Sequence, residues 1–221
     1  MDKHILALND KTVSVYPCRE TDAPLFLTFL SQEESDDLAG LIEGKAALVS
    51  IDEPDWEHAF SPWPAPAAFK KASDFSGGAE DYLRWLADTV LSETTQRFAL
   101  QPQWTALAGY SLGGLFAAYS AYHTTPFSRI ASVSGSLWFD GWTEFAAGRA
   151  LQTPPQKAYF SVGDKEKNAK NPRMAIVEDA TRATEADWRQ KGIETAFELN
   201  SGGHFEQVPQ RMAKAFGYLL G

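Results

Sequence analysis

A chain of 221 residues, 44% hydrophobic and 22% charged, is long enough to bury one substantial core and has the balance of a soluble globular domain. Its net charge of −9 argues against nucleic acid and anionic membrane as partners, because both require a cationic surface. The single cysteine, Cys18, excludes an intramolecular disulfide and reads as a small buried apolar residue. Met1-Asp2-Lys3-His4 lacks the basic region and apolar run of a signal peptide, and no apolar stretch reaches transmembrane length, so the expected location is cytoplasmic.

In chain order, residues 5–8 and 12–16 are short β-forming segments joined by Asn9-Asp10-Lys11, which predicts an opening hairpin. After Pro24, residues 25–30 form a nearly continuous apolar run suited to a strand buried on both faces. The acidic segment 31–37 reads as a solvated loop and the first turn of a short helix, where carboxylates suit the helix dipole, rather than as a metal site. Residues 46–51 are another buried-strand candidate. The stretch 52–78 carries Trp56, His58, Phe60 and Ser61-Pro62-Trp63-Pro64-Ala65-Pro66, and three prolines in five residues exclude helix and central strand there. A connection of this length either walls a functional crevice or covers core as a stiffened loop.

Ala79, Tyr82, Leu83, Leu86, Ala87, Val90 and Leu91 recur at helical spacing and predict an amphipathic helix. A strand over 104–110 runs into Gly109-Tyr110-Ser111-Leu112-Gly113-Gly114, and a helix-compatible run over 115–122 follows. Strand, Gly-x-Ser-x-Gly, helix is the sequence form of a nucleophile elbow, in which a strained serine stands at the tip of a sharp turn. Strands are expected at 130–133, 157–162 and 195–199. Asn171-Pro172 opens a helix running to about Gln190, and a terminal helix covers 205–220. Eight strand candidates, mostly alternating with helices after the hairpin, predict an α/β fold. It is one domain over residues 1–221, with a mostly parallel sheet of about eight strands flanked by helices.

The chemistry follows from the serine. A hydroxyl is a poor nucleophile at neutral pH and needs a base held in one tautomer by a third group. Of the four histidines, His4 begins the first strand, His123 ends the helix after Ser111 where a cation suits the dipole, and His58 lies in the Trp/Pro loop. His204 follows the last strand in a Gly-Gly-His turn, at the sheet end where loops converge on a crevice. The acid is expected between serine and histidine and after a strand. The turn at Gly163 offers Glu166, three residues past the glycine, and Asp164 beside it. Of two oxyanion donors, Leu112 N–H follows the nucleophile directly, and the second comes from the loop at Leu30-Ser31, either Ser31 or Leu30.

These residues resemble the esterase family of α/β-hydrolases that includes the esterase D-like enzymes and the bacterial ferric-enterobactin and salmochelin esterases. The resemblance covers most of the chain. It rests on Gly109 to Gly114, Ser134-Gly135-Ser136-Leu137-Trp138, Gly163-Asp164-Lys165-Glu166, Gly203-His204, and Ser61-Pro62-Trp63 shortly after Trp56. It implies the α/β-hydrolase fold, a Ser111–Glu166–His204 triad, and ester or thioester hydrolysis through an acyl-enzyme without metal or organic cofactor. It further implies a small-molecule ester as partner and a pocket shaped by Trp56, Trp63, Tyr110 and Trp138. Two departures stand out. There is no room for a large cap between Val133 and Trp138, and Leu30-Ser31 lacks the usual glycine-bearing oxyanion sequence. A siderophore trilactone esterase, an acyltransferase using the same triad, and a non-catalytic binding protein on the same fold are the alternatives.

Overall fold

Apolar residues alternate along the strands so that each side of the sheet carries its own core. The computed structural model describes residues 2–221. Its strands are β1 (His4–Leu8), β2 (Lys11–Tyr16), β3 (Leu25–Thr28), β4 (Ala47–Asp52), β5 (Pro64–Ala65), β6 (Phe75–Ser76), β7 (Thr105–Tyr110), β8 (Arg129–Val133), β9 (Lys157–Gly163) and β10 (Glu194–Asn200). The helices are α1 (Gln32–Leu41), α2 (Trp56–Ala59), α3 (Ala79–Trp85), α4 (Ser92–Arg97), α5 (Leu112–Ser120), α6 (Trp142–Ala147), α7 (Pro172–Ala175), α8 (Val177–Gln190) and α9 (Val208–Leu220).

Eight strands form one sheet in the order β1-β2-β4-β3-β7-β8-β9-β10. The β1–β2 and β2–β4 pairs are antiparallel, and every pair from β4 to β10 is parallel. Leu25, Leu27, Val49, Leu107 and Phe160 face a layer that includes Leu115 and Phe116 of α5 and Trp188 of α8. Phe26, Leu48, Ala108, Ala131 and Val133 face the opposite layer, built from Leu38 of α1 and Met212, Phe216 and Leu219 of α9. Phe26 stacks on Phe216 with ring centroids 3.9 Å apart. Burial on both faces explains why the central strands read as unbroken apolar runs. This is the α/β-hydrolase architecture, with no inserted cap after β8.

The structure extends or shifts several expected elements. The helix from Ala79 continues through a π-helical segment (Leu86–Leu91) into α4. Its polar end has no apolar stripe to announce it; the Thr94 and Thr95 hydroxyls donate back to the Val90 and Leu91 carbonyls instead. The terminal helix begins at Val208 rather than 205, after Gln207 in a left-handed conformation at φ 57°. The helix opened by Asn171 breaks at Ile176 into α7 and α8. Helix α6 is an addition to the sequence reading. The Trp/Pro stretch holds α2 and the two-residue strands β5 and β6, which pair outside the main sheet. Among the described residues, no helix is long and apolar enough to cross a membrane.

Candidate active site

The turn between β7 and α5 exists because two glycines permit it. A Cβ on Gly109 would overlap the Gly113 carbonyl, and one on Gly114 would come within 2.8 Å of the Gly135 Cα. The strand can therefore fold straight back into the helix only without side chains at these points. Ser111, between them, takes φ 55° and ψ −122°, a conformation that a residue with a Cβ rarely adopts. It stands at the carboxyl end of a central parallel strand, where β8, β9 and β10 also deliver their loops.

Three of those loops meet at Ser111. Its Oγ lies 3.0 Å from His204 Nε2, in the loop after β10, and His204 Nδ1 lies 2.7 Å from Glu166 Oε2, in the loop after β9. The other Glu166 oxygen accepts the Gly163 N–H at 2.7 Å. Burial works against the charge on Glu166. The His204 ring, the Gly163 N–H and the Ser134 hydroxyl outweigh it and hold the carboxyl below the ordinary carboxylate range. Asp164 does different work: its carboxylate accepts the Gly202 N–H at 2.9 Å and so latches the turn that carries His204.

A residue absent from the sequence reading ties these loops together. Arg211, on the buried side of α9 and 1% exposed, reaches the Tyr110 hydroxyl at 3.1 Å, the Ser134 hydroxyl at 3.2 Å and Glu166 at 3.4 Å. It also donates to the Ser201 carbonyl at 2.9 Å. Burial raises the Tyr110 phenol above its usual range, so it stays protonated, and it donates to the His204 carbonyl at 2.6 Å. The signal was present in the sequence. Val208, Met212, Ala215, Phe216 and Leu219 form the apolar stripe of α9, and a cation at position 211 falls on that stripe rather than opposite it.

Ser111 opens onto a cleft of about 340 Å³, a volume suited to a small ligand. Trp56, Tyr110 and Trp138 line it, joined by Phe69, Phe75, Met174 and Phe205. Trp63 is a correction. It does not border the cleft: its ring packs on Phe139 and Phe145, and its indole N–H donates to the Asp140 carbonyl at 2.9 Å, which anchors the Trp/Pro loop. Ser31 is a second. It caps α1, and its N–H is already donated to Glu34 at 3.2 Å in a capping box, whereas Leu30 borders the cleft beside Leu112.

Neither His4 nor His58 reaches Ser111. His4 packs on Phe98, and His58 pairs with the Ser76 hydroxyl at 2.7 Å. His123 packs on Tyr119, and burial lowers its pKa.

The fold and this arrangement define an α/β-hydrolase with a serine at the head of its cleft. A family model described as "Putative esterase" matches residues 36–209, and the chain belongs to that esterase family. It is 25% identical over 149 residues to the uncharacterized protein YbbA of Bacillus subtilis (strain 168), a match spanning 66% of this chain and 60% of the length of that relative. Among solved structures it is similar to the siderophore hydrolase EstA of Aspergillus nidulans (TM-score 0.75, 16% identity, covering 99% of this chain and 93% of that one). It is also similar to an IroE-like serine hydrolase from Shewanella oneidensis (TM-score 0.80, 15% identity, covering 99% and 79%).

Proposed function

We propose that this protein is a serine hydrolase that cleaves a carboxylic ester or thioester of a small to medium-sized substrate. The observation that carries the reading is the chain of contacts from Ser111 through His204 to Glu166 at the head of an apolar cleft. Glu166 accepts a hydrogen bond from Nδ1–H and so fixes the tautomer whose Nε2 lone pair is free. His204 Nε2 takes the Ser111 proton as Oγ attacks the ester carbonyl, and the resulting oxyanion meets the N–H groups of Leu112 and Leu30. Collapse expels the alcohol, which receives its proton from His204. Water then repeats the sequence on the acyl-enzyme and releases the acid. The first amides of α5 have no carbonyl of their own within the helix, which suits Leu112 to the donor role. A trilactone siderophore as the ester is the second reading, favoured by the siderophore hydrolase among the similar structures.

Hydrolysis of 4-nitrophenyl esters of increasing acyl length tests the main reading. Turnover at some length is expected; a protein that hydrolyses none of them and also leaves a thioester series intact contradicts it.

In this reading Arg211 is a positioning residue, since it touches the acid and the loops of the base and nucleophile but not the cleft. Arg211→Met is expected to lower kcat about 10- to 100-fold with little change in KM. It should also cost about 1–3 kcal/mol of stability, because it leaves the buried Tyr110 and Ser134 hydroxyls and the Ser201 carbonyl without their donor. Arg211→Lys should recover part of kcat. Steady-state kinetics beside urea unfolding separate the two effects, and an unchanged kcat in the methionine variant removes the role.

A further inference from the structure

The cleft at Ser111 offers a ligand no lysine or arginine partner among the described residues. Its wall does include the half-buried residues Glu34 and Glu57. The Glu34 carboxylate accepts the N–H and hydroxyl of its own cap residue, Ser31. Two guanidiniums stand behind the wall, and both are spent: Arg211 is buried and donates to Tyr110, Ser134, Glu166 and Ser201. Arg173 lies over the Trp138 ring at 5.8 Å, but its donors go to both oxygens of Asp140, at 3.0 and 2.8 Å, and to the Pro66 and Ala67 carbonyls. Lys70 and Lys71 sit between two wall residues in sequence, yet both are exposed and neither borders the cleft.

We propose that the substrate is an ester whose acyl or alcohol part is apolar and free of negative charge, and that Glu34 and Glu57 reject anionic esters. The proposal rests on the serine hydrolase reading above. A carboxylate or catecholate entering this cleft would lose hydration against apolar walls, meet two like charges, and find no lysine or arginine partner. The net charge of −9 adds repulsion during approach. An apolar group gains on entry. Phe69 and Phe205, 61% and 88% exposed at the lips of the cleft, would be covered by a bound hydrophobic chain. The same argument speaks against an iron(III) tris-catecholate, which is a polyanion.

The test uses two 4-nitrophenyl esters of matched shape, those of 3-(4-isopropylphenyl)propanoic acid and 3-(4-carboxyphenyl)propanoic acid. The full chain should prefer the isopropyl ester in kcat/KM. The Glu34→Gln/Glu57→Gln double variant should narrow that preference about tenfold by removing the like charges. Glutamine keeps the α1 cap, and Glu57→Gln alone should narrow the gap in the same direction if the double variant folds poorly. Equal or better use of the carboxylate ester, or a preference unchanged by the substitutions, overturns the proposal. If neither ester turns over, the two are compared as competitors against fluorophosphonate labelling, with the same order expected. Failure of Ser111 to label at all would instead remove the hydrolase reading itself.

Discussion

Ser111→Ala is expected to lower kcat for any ester the protein hydrolyses by about 10⁴-fold or more, with the fold unchanged. Alanine keeps the Cβ that already occupies the strained conformation at φ 55°, so the turn is no more costly than in the parent. What disappears is the oxygen 3.0 Å from His204 Nε2, and with it the nucleophile that the imidazole touches. Groups that act as one unit lose their effect together, so His204→Ala added to Ser111→Ala should cost almost nothing further. Steady-state hydrolysis and near-ultraviolet circular dichroism on the same samples check both parts. An alanine variant as active as the parent would place the chemistry elsewhere.

The second large effect separates two neighbouring acids. Glu166→Gln is expected to lower kcat about 10³- to 10⁴-fold, because an amide in place of the carboxylate can present a donor to Nδ1 and turn the imidazole to the wrong tautomer. It also leaves Arg211 buried without its carboxylate. Asp164→Asn keeps an oxygen to accept the Gly202 N–H and should stay within about threefold of the parent. The reverse ranking would move the acid to Asp164. The pH profile belongs with this pair. The Glu166 carboxyl is held below its ordinary range, so it remains ionised as pH falls, and the loss of kcat/KM on the acid side reports protonation of the base. Activity should therefore rise with pH and reach a plateau. A flat profile between about pH 5 and 8, where imidazoles titrate, contradicts His204 as base.

The parts of the molecule governed by local rules were legible in the sequence. The strands announce themselves because burial on both faces demands continuous apolar runs, and the turn at Ser111 because glycine is required where backbone meets backbone. The position of His204 after the last strand, and of Glu166 and Asp164 after β9, followed from the convergence of loops at one end of a parallel sheet. What failed depends on side-chain direction. Trp56 and Trp63 lie in one irregular segment without a period to say which way each faces, and only the packing of Trp63 on Phe139 and Phe145 turns it away. Ser31 and Leu30 were indistinguishable until the capping box with Glu34 claimed the Ser31 N–H. Arg211 was hidden because a charged residue in an amphipathic helix is assigned by habit to water. Its place on the apolar stripe shows instead that α9 brings a buried cation to the back of the site.

Intact-mass analysis of the protein treated with a fluorophosphonate, followed by peptide mapping, tests the central claim most directly. A single adduct on the peptide holding Ser111 is expected, formed rapidly by the parent and far more slowly by His204→Ala, because only a serine relieved of its proton attacks phosphorus. No adduct, an adduct on another residue, or equal rates in the two proteins would contradict an activated Ser111.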